Sequence, residues 1–244
     1  MARPLLGVDL GTTHTVLSRG ESGSAAPPEV VPVPQLVGPG AVEARPLLPS
    51  VLFAPPPGET VEDPFADAPF LVGHWARRRA AELPSRAVLS PKSWLAHAGV
   101  DRTAPILPWG ADEAGTPRIS PVEASRRILR HLCRATAAAV DWEAAGTVVL
   151  AVPASFDAVA RELTERAARE AGLEVRLLEE PVAALHAWLA EQGEEALASL
   201  FDQGDEGLVL VCDVGGGTTD LTLVRASRAR GAGGSGGSGA GGAG

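Results

Sequence analysis

A short pattern that occurs twice in this chain restricts its fold more than any other feature. Residues 7–16 read GVDLGTTHTV, and residues 211–221 read VCDVGGGTTDL. Each copy has an apolar run, an aspartate, a turn with glycine, a Thr-Thr pair and a second run suited to a strand. Glycine tolerates backbone angles and close approaches that other residues resist, so each copy predicts a β-hairpin. Its turn would leave backbone N–H groups open to an anionic oxygen.

The two predicted turns carry the groups that bind a phosphate together with a magnesium ion. Threonine hydroxyls add hydrogen-bond donors, and Asp9 and Asp213 can hold Mg²⁺ through its water shell. Two such turns that face each other would form a phosphate clamp. A Walker A loop does not provide this chemistry, because Lys92, the only lysine, does not follow a glycine-rich turn. His14, which follows the first Thr-Thr pair, is interpreted as a loop residue without a chemical role.

Strand and helix patterns alternate from residue 120 onward, which predicts an α/β fold. Ser120, Pro121 and Glu123 have the spacing of a capping box at the start of a helix. Residues 147–152 form an uncharged, largely β-branched run that is typical of a strand buried on both faces. The remaining predicted elements are a helix over 67–83, a helix over 157–172, a strand over 174–178, a helix over 181–193 and a strand over 208–213.

The composition is that of a soluble globular protein, with 45% hydrophobic residues, 21% charged residues and a formal net charge of -9. A protein that binds nucleic acid is normally basic, so we expect no nucleic-acid partner. No apolar run approaches the length of a membrane span, and we expect no membrane association. Cys133 and Cys212 lie in apolar runs, which predicts buried free thiols in a reducing cytoplasm.

Four motifs resemble, in order and spacing, the signatures of the DnaK-type 70-kDa heat-shock chaperone family. They are residues 7–13 (GVDLGTT), 152–156 (VPASF), 179–184 (EEPVAA) and 213–220 (DVGGGTTD). The resemblance extends over residues 1–226 and is much weaker in the insert between 20 and 118. It implies an actin-like ATPase fold of the ribonuclease H-like type, in which two α/β lobes close on ATP and Mg²⁺.

The resemblance also implies a division of the chain. It places a first-lobe core in 1–19 and 119–193, an inserted subdomain in 20–118, and the start of a second lobe in 205–226. Residues 227–244 are rich in Gly, Ser and Ala, which predicts a disordered tail. In the family the second lobe continues far beyond the second phosphate turn, so we expect a first lobe plus only the opening β-hairpin of a second lobe, with an uncovered apolar face. The partners implied are a nucleotide and a co-chaperone or a chain that supplies the missing lobe.

Individual roles follow from the same resemblance. Asp9 and Asp213 would surround the magnesium ion through water, and Glu180 would help to order the metal and the attacking water. The residues implied to contact the phosphates are Gly11, Thr12, Thr13, Gly215, Gly216, Gly217 and Thr218. Of these, Thr13 and Thr218 would lie closest to the γ-phosphate. The implied catalytic residues are Arg77, Glu180, Asp213 and Thr218.

Arg77 departs from the family pattern. By its spacing it takes the place of a lysine that touches the γ-phosphate, and arginine is longer and forked. Hydrolysis would then be slowed, or Arg78 or Arg79 would act instead; the alternative interpretation is a basic, solvated helix face.

Pro153 and Arg161 match the family's relay between the lobes.

Three functions stay open at this point. The first is the ATP-binding portion of a DnaK-like chaperone ATPase, a family that couples ATP binding and hydrolysis to protein folding. The second is another kinase of the actin-like superfamily, such as a sugar kinase, for which we find no catalytic aspartate with sugar contacts. The third is a non-catalytic interaction module or an inactive fragment.

Overall fold

The structure is a computed structural model that describes residues 4–24, 26–111, 115–202 and 204–228. From residue 229 onward, the tail predicted over 227–244 lies outside the described residues. The strands are β1 (Pro4–Leu10), β2 (His14–Glu21), β3 (Glu29–Val30), β4 (Val33–Gly38), β5 (Ala41–Arg45), β6 (Leu48–Pro49), β7 (Val51–Phe53), β8 (Leu71–Val72), β9 (Ala87–Leu89), β10 (Thr147–Val152), β11 (Val175–Glu179), β12 (Glu206–Val214) and β13 (Thr219–Ser227).

The helices are α1 (His74–Glu82), α2 (Pro91–Ala96), α3 (Pro121–Thr136), α4 (Ala158–Ala171), α5 (Glu180–Gln192) and α6 (Glu194–Ser199). Among these described helices, none has both the length and the apolar character that crossing a membrane would require. Strands and helices alternate through the second half of the described chain, which confirms the predicted mixed α/β class.

The largest sheet in the described part of the chain is mixed. Its strand order is β11-β10-β1-β2-β3, and β6 also pairs with β2. The strands β1, β10 and β11 are parallel, whereas β1 and β2 form an antiparallel hairpin. Because parallel strands end at the same edge of a sheet, the register brings Asp9 beside Ala151 and Val152 beside Glu179. This edge therefore collects the residues at the ends of three strands.

One face of this sheet packs against α3. Alternate residues of β1, Leu6, Val8 and Leu10, are at most 2% exposed and share a core with Ile128 and Leu132 of α3. Side chains alternate between the two faces of a strand, so the remaining positions of β1 point away from this core. Asp9 is one of them, and it lies free of the core at the carboxyl end of the strand.

The strand β10 differs in burial from the prediction. Its alternate residues Val148, Leu150 and Val152 are buried, whereas the residues between them are only half-buried. The prediction of a strand covered on both faces is therefore wrong. The reason is that α3 and its neighbours cover one face fully, while the other face is covered only in part, by contacts that include α5.

The ends of α3 and α4 form largely as the sequence predicts. Ser120 Oγ accepts the backbone N–H of Glu123 at 3.1 Å, which caps α3. The reciprocal half of the predicted capping box does not form, because the Glu123 carboxylate accepts hydrogen bonds from Arg126 and Arg127. The helix α4 has the predicted cap at Asp157, whose Oδ1 accepts the Ala160 N–H at 2.6 Å.

We expect Ser120→Ala to lower the free energy of unfolding by about 1 kcal/mol, because the Glu123 N–H loses its capping acceptor. Urea denaturation followed by circular dichroism measures this change. Ser120→Thr is the matched control, since it keeps a hydroxyl acceptor and should stay close to the wild type. Equal losses of unfolding free energy in both variants would show that packing at position 120, and not the hydrogen bond of the cap, causes the change.

Between β2 and α3 the chain forms smaller sheets. The strands β4 and β5 form a hairpin, and β8, β7 and β9 form a sheet against which α1 packs. The helix predicted over 67–83 is shorter and begins at His74. Its expected first turn instead holds Asp67, whose carboxylate accepts hydrogen bonds from Arg126 and Arg134 of α3.

The strands β12 and β13 form a separate antiparallel hairpin. The helix α5 contacts both strands, but the described residues build no layer over the hairpin's apolar side chains. Leucines on these strands are 62–68% exposed, which confirms the predicted uncovered apolar face; they are Leu208, Leu210, Leu221 and Leu223. For the same reason Cys212 is exposed, and the prediction that its thiol is buried is wrong.

Candidate phosphate-binding site

The two glycine-containing turns share one backbone hydrogen bond. The N–H of Gly11 donates to the carbonyl of His14 at 3.0 Å, and the N–H of Gly215 donates to the carbonyl of Thr218 at 2.9 Å. This equivalence corrects the sequence-based alignment of the two Thr-Thr pairs. Thr12 and Thr13 occupy the places that Gly216 and Gly217 occupy in the second turn, and His14 corresponds to Thr218.

The two turns lie against each other. A Cβ atom on Gly216 would be 2.8 Å from Oγ1 and Cγ2 of Thr13, and one on Gly217 would be 3.1 Å from Cγ2 of Thr12. Contacts that short leave no space for a side chain at Gly216. Glycine is therefore required here for the threonines of the first turn to approach the second turn.

A cavity of about 210 Å³ lies between the turns and the carboxyl edge of the large sheet. Apart from Arg77, its lining contains every residue that the sequence predicts for phosphate or metal binding. The lining residues are Asp9, Gly11, Thr12, Thr13, His14, Val16, Lys92, Glu180, Asp213, Gly215, Gly216, Gly217 and Thr218. The structure thus brings together parts of the chain that are far apart in sequence.

Lys92 is the lining residue that sequence reasoning missed. It lies on the short helix α2, is only 6% exposed, and its Nζ forms an ion pair with Glu180 Oε1 and lies 4.0 Å from Asp9 Oδ1. No local motif marks it, because its carboxylate partners come from β1 and α5. One signal could have identified it: it is the only lysine in a chain that otherwise uses arginine.

The carboxylates that line the cavity repel each other, and the ammonium group of Lys92 lies between two of them, Asp9 and Glu180. The side chain of Asp9 is 54% exposed, yet the surrounding protein still raises its pKa; Lys92 lowers that pKa and Asp213 raises it. Burial also raises the pKa of Glu180, while Lys92 lowers it and the two aspartates raise it. Asp9 and Glu180 both have raised pKa values, so this is a place where a further cation would be stabilised.

Arg77 does not line the cavity. Its side chain is exposed on α1, and its Nη1 donates to Nε2 of His14 at 3.2 Å. Burial and the charge of Arg77 lower the pKa of His14. Lys92, rather than Arg77, lies beside the carboxylates Asp9 and Glu180. A direct contact of Arg77 with phosphate stays a prediction.

The two residues predicted for a relay lie behind the cavity. Pro153 follows β10, and its carbonyl accepts the N–H of Phe156 at 3.1 Å. The Nη2 of Arg161 donates to Oε1 of Glu179 at 2.7 Å, one residue before Glu180. Arg161 therefore contacts the segment that carries Glu180, and its role as a relay stays a prediction.

The residues of the cavity fit a phosphate that is bound together with a hydrated divalent cation. Backbone N–H groups of the turns and the hydroxyls of Thr12, Thr13 and Thr218 supply donors for phosphate oxygens. The described residues contain no cluster of three or more His, Cys, Asp or Glu side chains that could hold a metal directly. Asp9 and Asp213 would therefore reach a magnesium ion through its water shell, which is the way this ion is usually bound.

Comparison with known proteins gives an independent result. The model of the family HSP70, described as Hsp70 protein, matches residues 65–231. The chain is 35% identical over 238 residues to the chaperone protein HscA of Enterobacter sp. (strain 638), covering 93% of this chain and 33% of that protein. It is 34% identical over 235 residues to the chaperone protein HscA homolog of Pasteurella multocida (strain Pm70), covering 91% and 32%. The chain thus spans about a third of the length of these curated relatives.

Proposed function

The chain belongs to the Hsp70 family, and we propose that it is the nucleotide-binding portion of a chaperone ATPase, which holds the phosphates of Mg-ATP between its two hairpin turns. One observation carries the proposal. Two turns with the same backbone hydrogen bond enclose a single cavity that also contains Asp9, Lys92, Glu180 and Asp213. This combination of donors, one buried cation and several carboxylates suits a phosphate chain with its metal.

The proposal includes the fold that the family implies. In it, residues 1–19 and 119–193 are the core of the first lobe of an actin-like ATPase, residues 20–118 are an inserted subdomain, and residues 205–226 begin the second lobe. The mixed sheet of β1, β2, β10 and β11, and the separation of the β12–β13 hairpin from it, support this division.

The size and lining of the cavity suggest which part of the nucleotide binds there. A volume of about 210 Å³ suits phosphate groups but is smaller than the roughly 300 Å³ at which sites for larger organic ligands begin. Val16 is the only aliphatic side chain among the described lining residues, so the base would lie outside this cavity. Bound Mg²⁺ would neutralise charge on the phosphate oxygens.

For hydrolysis, the residues of the cavity would act mainly by position and charge. A water molecule would attack the terminal phosphorus in line, the bond from that phosphorus to the β-phosphate oxygen would break, and ADP and phosphate would be released; the Glu180 carboxylate would accept a hydrogen bond from the water. The ammonium group of Lys92 would stabilise negative charge on the oxygens of the transferred group. Thr13 and Thr218 would donate hydrogen bonds from opposite turns.

The wider role follows the relatives, which are named chaperone proteins. In our proposal, nucleotide binding is coupled to the folding of other proteins and to contact with a co-chaperone.

Cys133 and Cys212 are both free thiols, which suits a reducing cytoplasm.

Isothermal titration of the whole chain with Mg-ATP and Mg-ADP tests the proposed function. We expect the wild type to bind both, and Asp9→Asn and Asp213→Asn each to weaken binding at least about tenfold, because each removes a charge that holds the hydrated metal. Glu165→Gln is the matched control, since it makes the same change on an exposed position of α4. Failure of the wild type to bind would favour a non-catalytic interaction module instead.

A further inference from the structure

We propose that Arg77 and His14 act as positioning residues, which together turn the hydroxyl proton of Thr13 into the phosphate cavity. This inference rests on the proposed function, because the oxygen that would accept that proton belongs to the bound phosphate. It also gives roles to an arginine that lies outside the cavity and to a histidine that the sequence pattern left unassigned.

The first step concerns the hydrogen bond between Arg77 and His14. The guanidinium group can only donate hydrogen bonds, and its Nη1 lies 3.2 Å from Nε2 of His14. Nε2 must therefore accept, so it carries no proton. The single proton of the neutral imidazole ring is then on Nδ1. Burial and the nearby guanidinium lower the pKa of His14, which keeps the ring neutral at pH 7.

The second step concerns the hydrogen bond between His14 and Thr13. Nδ1 of His14 lies 3.2 Å from Oγ1 of Thr13, so a proton on Nδ1 makes the histidine the donor and the hydroxyl the acceptor. The hydroxyl has one proton of its own, and within the described chain it has no other hydrogen-bond partner. Because Thr13 lines the cavity, this proton is available to a ligand oxygen there.

The opposite arrangement shows what Arg77 contributes. Without a donor at Nε2, the ring could carry its proton on Nε2, and Nδ1 would then accept the hydrogen bond from Thr13. The hydroxyl proton would point to His14 and away from the cavity, leaving a lone pair to face the phosphate. At the equivalent place in the second turn Thr218 supplies a hydroxyl directly, so only the first turn needs this arrangement.

A double-mutant cycle measured by Mg-ATP titration of the whole chain tests the inference. We expect Thr13→Val to weaken binding about tenfold, which is the effect of losing a hydrogen bond to a charged group, and Arg77→Met to weaken it about fourfold, because the mixture of tautomers still contains the productive one. In the Thr13→Val background, Arg77→Met should have no further effect, because its only route to the phosphate is already absent. Arg169→Met is the matched control: it removes an equal charge from an exposed position of α4 and should change affinity less than about twofold.

Nitrogen-15 NMR of the His14 ring in the ligand-free chain tests the same arrangement without nucleotide. The wild type should show the proton on Nδ1, and Arg77→Met should shift the ring toward a mixture of tautomers. Additive losses in the cycle, or a wild-type ring with its proton on Nε2, would overturn the inference while leaving the proposed function intact. Absence of Mg-ATP binding by the wild type would instead contradict the proposed function, and the NMR result would still decide the orientation of the hydroxyl.

Discussion

Replacing Lys92 with methionine is expected to lower the free energy of unfolding by about 3 kcal/mol at pH 7. The side chains of Lys92 and Glu180 are 7% and 19% exposed, and they form an ion pair beside Asp9. Methionine fills a similar volume but carries no charge, so the variant leaves two carboxylates in the cavity without their cation. Removing one member of a largely buried ion pair is strongly destabilising for this reason. Urea denaturation measures the change.

The dependence of this loss on pH identifies its cause. Lys92 lowers the pKa of Glu180, so its removal raises that pKa further. A carboxyl whose pKa is higher in the folded than in the unfolded protein loses stability as the pH rises through the folded value. The deficit of Lys92→Met should therefore be smaller at pH 5 than at pH 7. The double variant Lys92→Met with Glu180→Gln should recover much of the stability, and a single variant as stable as the wild type at pH 7 would contradict the ion-pair account.

Alanine substitution of the first glycine in each turn should have very unequal effects. A Cβ on Gly11 would lie 2.3 Å from the carbonyl oxygen of His14, the same oxygen that accepts the Gly11 N–H. The turn would have to open, and we expect Gly11→Ala to lower the free energy of unfolding by about 3 kcal/mol and to abolish Mg-ATP binding. Thermal denaturation and titration with Mg-ATP measure the two effects.

Gly215 provides the matched control because it has the same place in the second turn. A Cβ there would be 3.5 Å from the carbonyl oxygen of Thr218, which is an ordinary contact. Gly215→Ala should therefore change stability by less than about 0.5 kcal/mol. If both alanine variants were tolerated, or both were equally harmful, close approach within the first turn could not be the reason for glycine at that place.

The elements that the sequence predicts well are those with signals inside a single segment. The hydroxyl of Ser120 and the carboxylate of Asp157 cap their own helices, and the helix that ends at Gly172 has a positive φ of 95° there. The alternation of strands and helices after residue 120 follows from runs of adjacent residues. The burial of β10 depends on distant parts of the chain and is predicted less well, since only one of its faces is fully covered. The reciprocal half of the α3 cap fails for a local reason, because Arg126 and Arg127 in the next turn of the helix compete for the Glu123 carboxylate.

The same distinction applies to the candidate site. Asp9 and Asp213 could be predicted because each lies in a recognisable turn. Lys92 could not, since it reaches Glu180, 88 positions further along the chain, only after the chain has folded. The hydrogen bond from Arg77 to His14 was missed for a similar reason, because residues 63 positions apart contain no shared motif. Counting from Asp9 and Asp213 already pairs His14 with Thr218, and the backbone hydrogen bonds confirm that pairing.

The separation of the two turns along the chain also determines when the cavity can exist during synthesis. Asp9 is made well before β10, β10 pairs with β1 only after residue 152, and the second turn is complete only at Thr218. N-terminal segments generally fold first as the ribosome adds residues. Nucleotide stabilises only states that bind it, so under the proposed function it would act on this chain only after both turns are present. The sheet would then form without help from the ligand, and nucleotide would stabilise the finished arrangement rather than the path toward it.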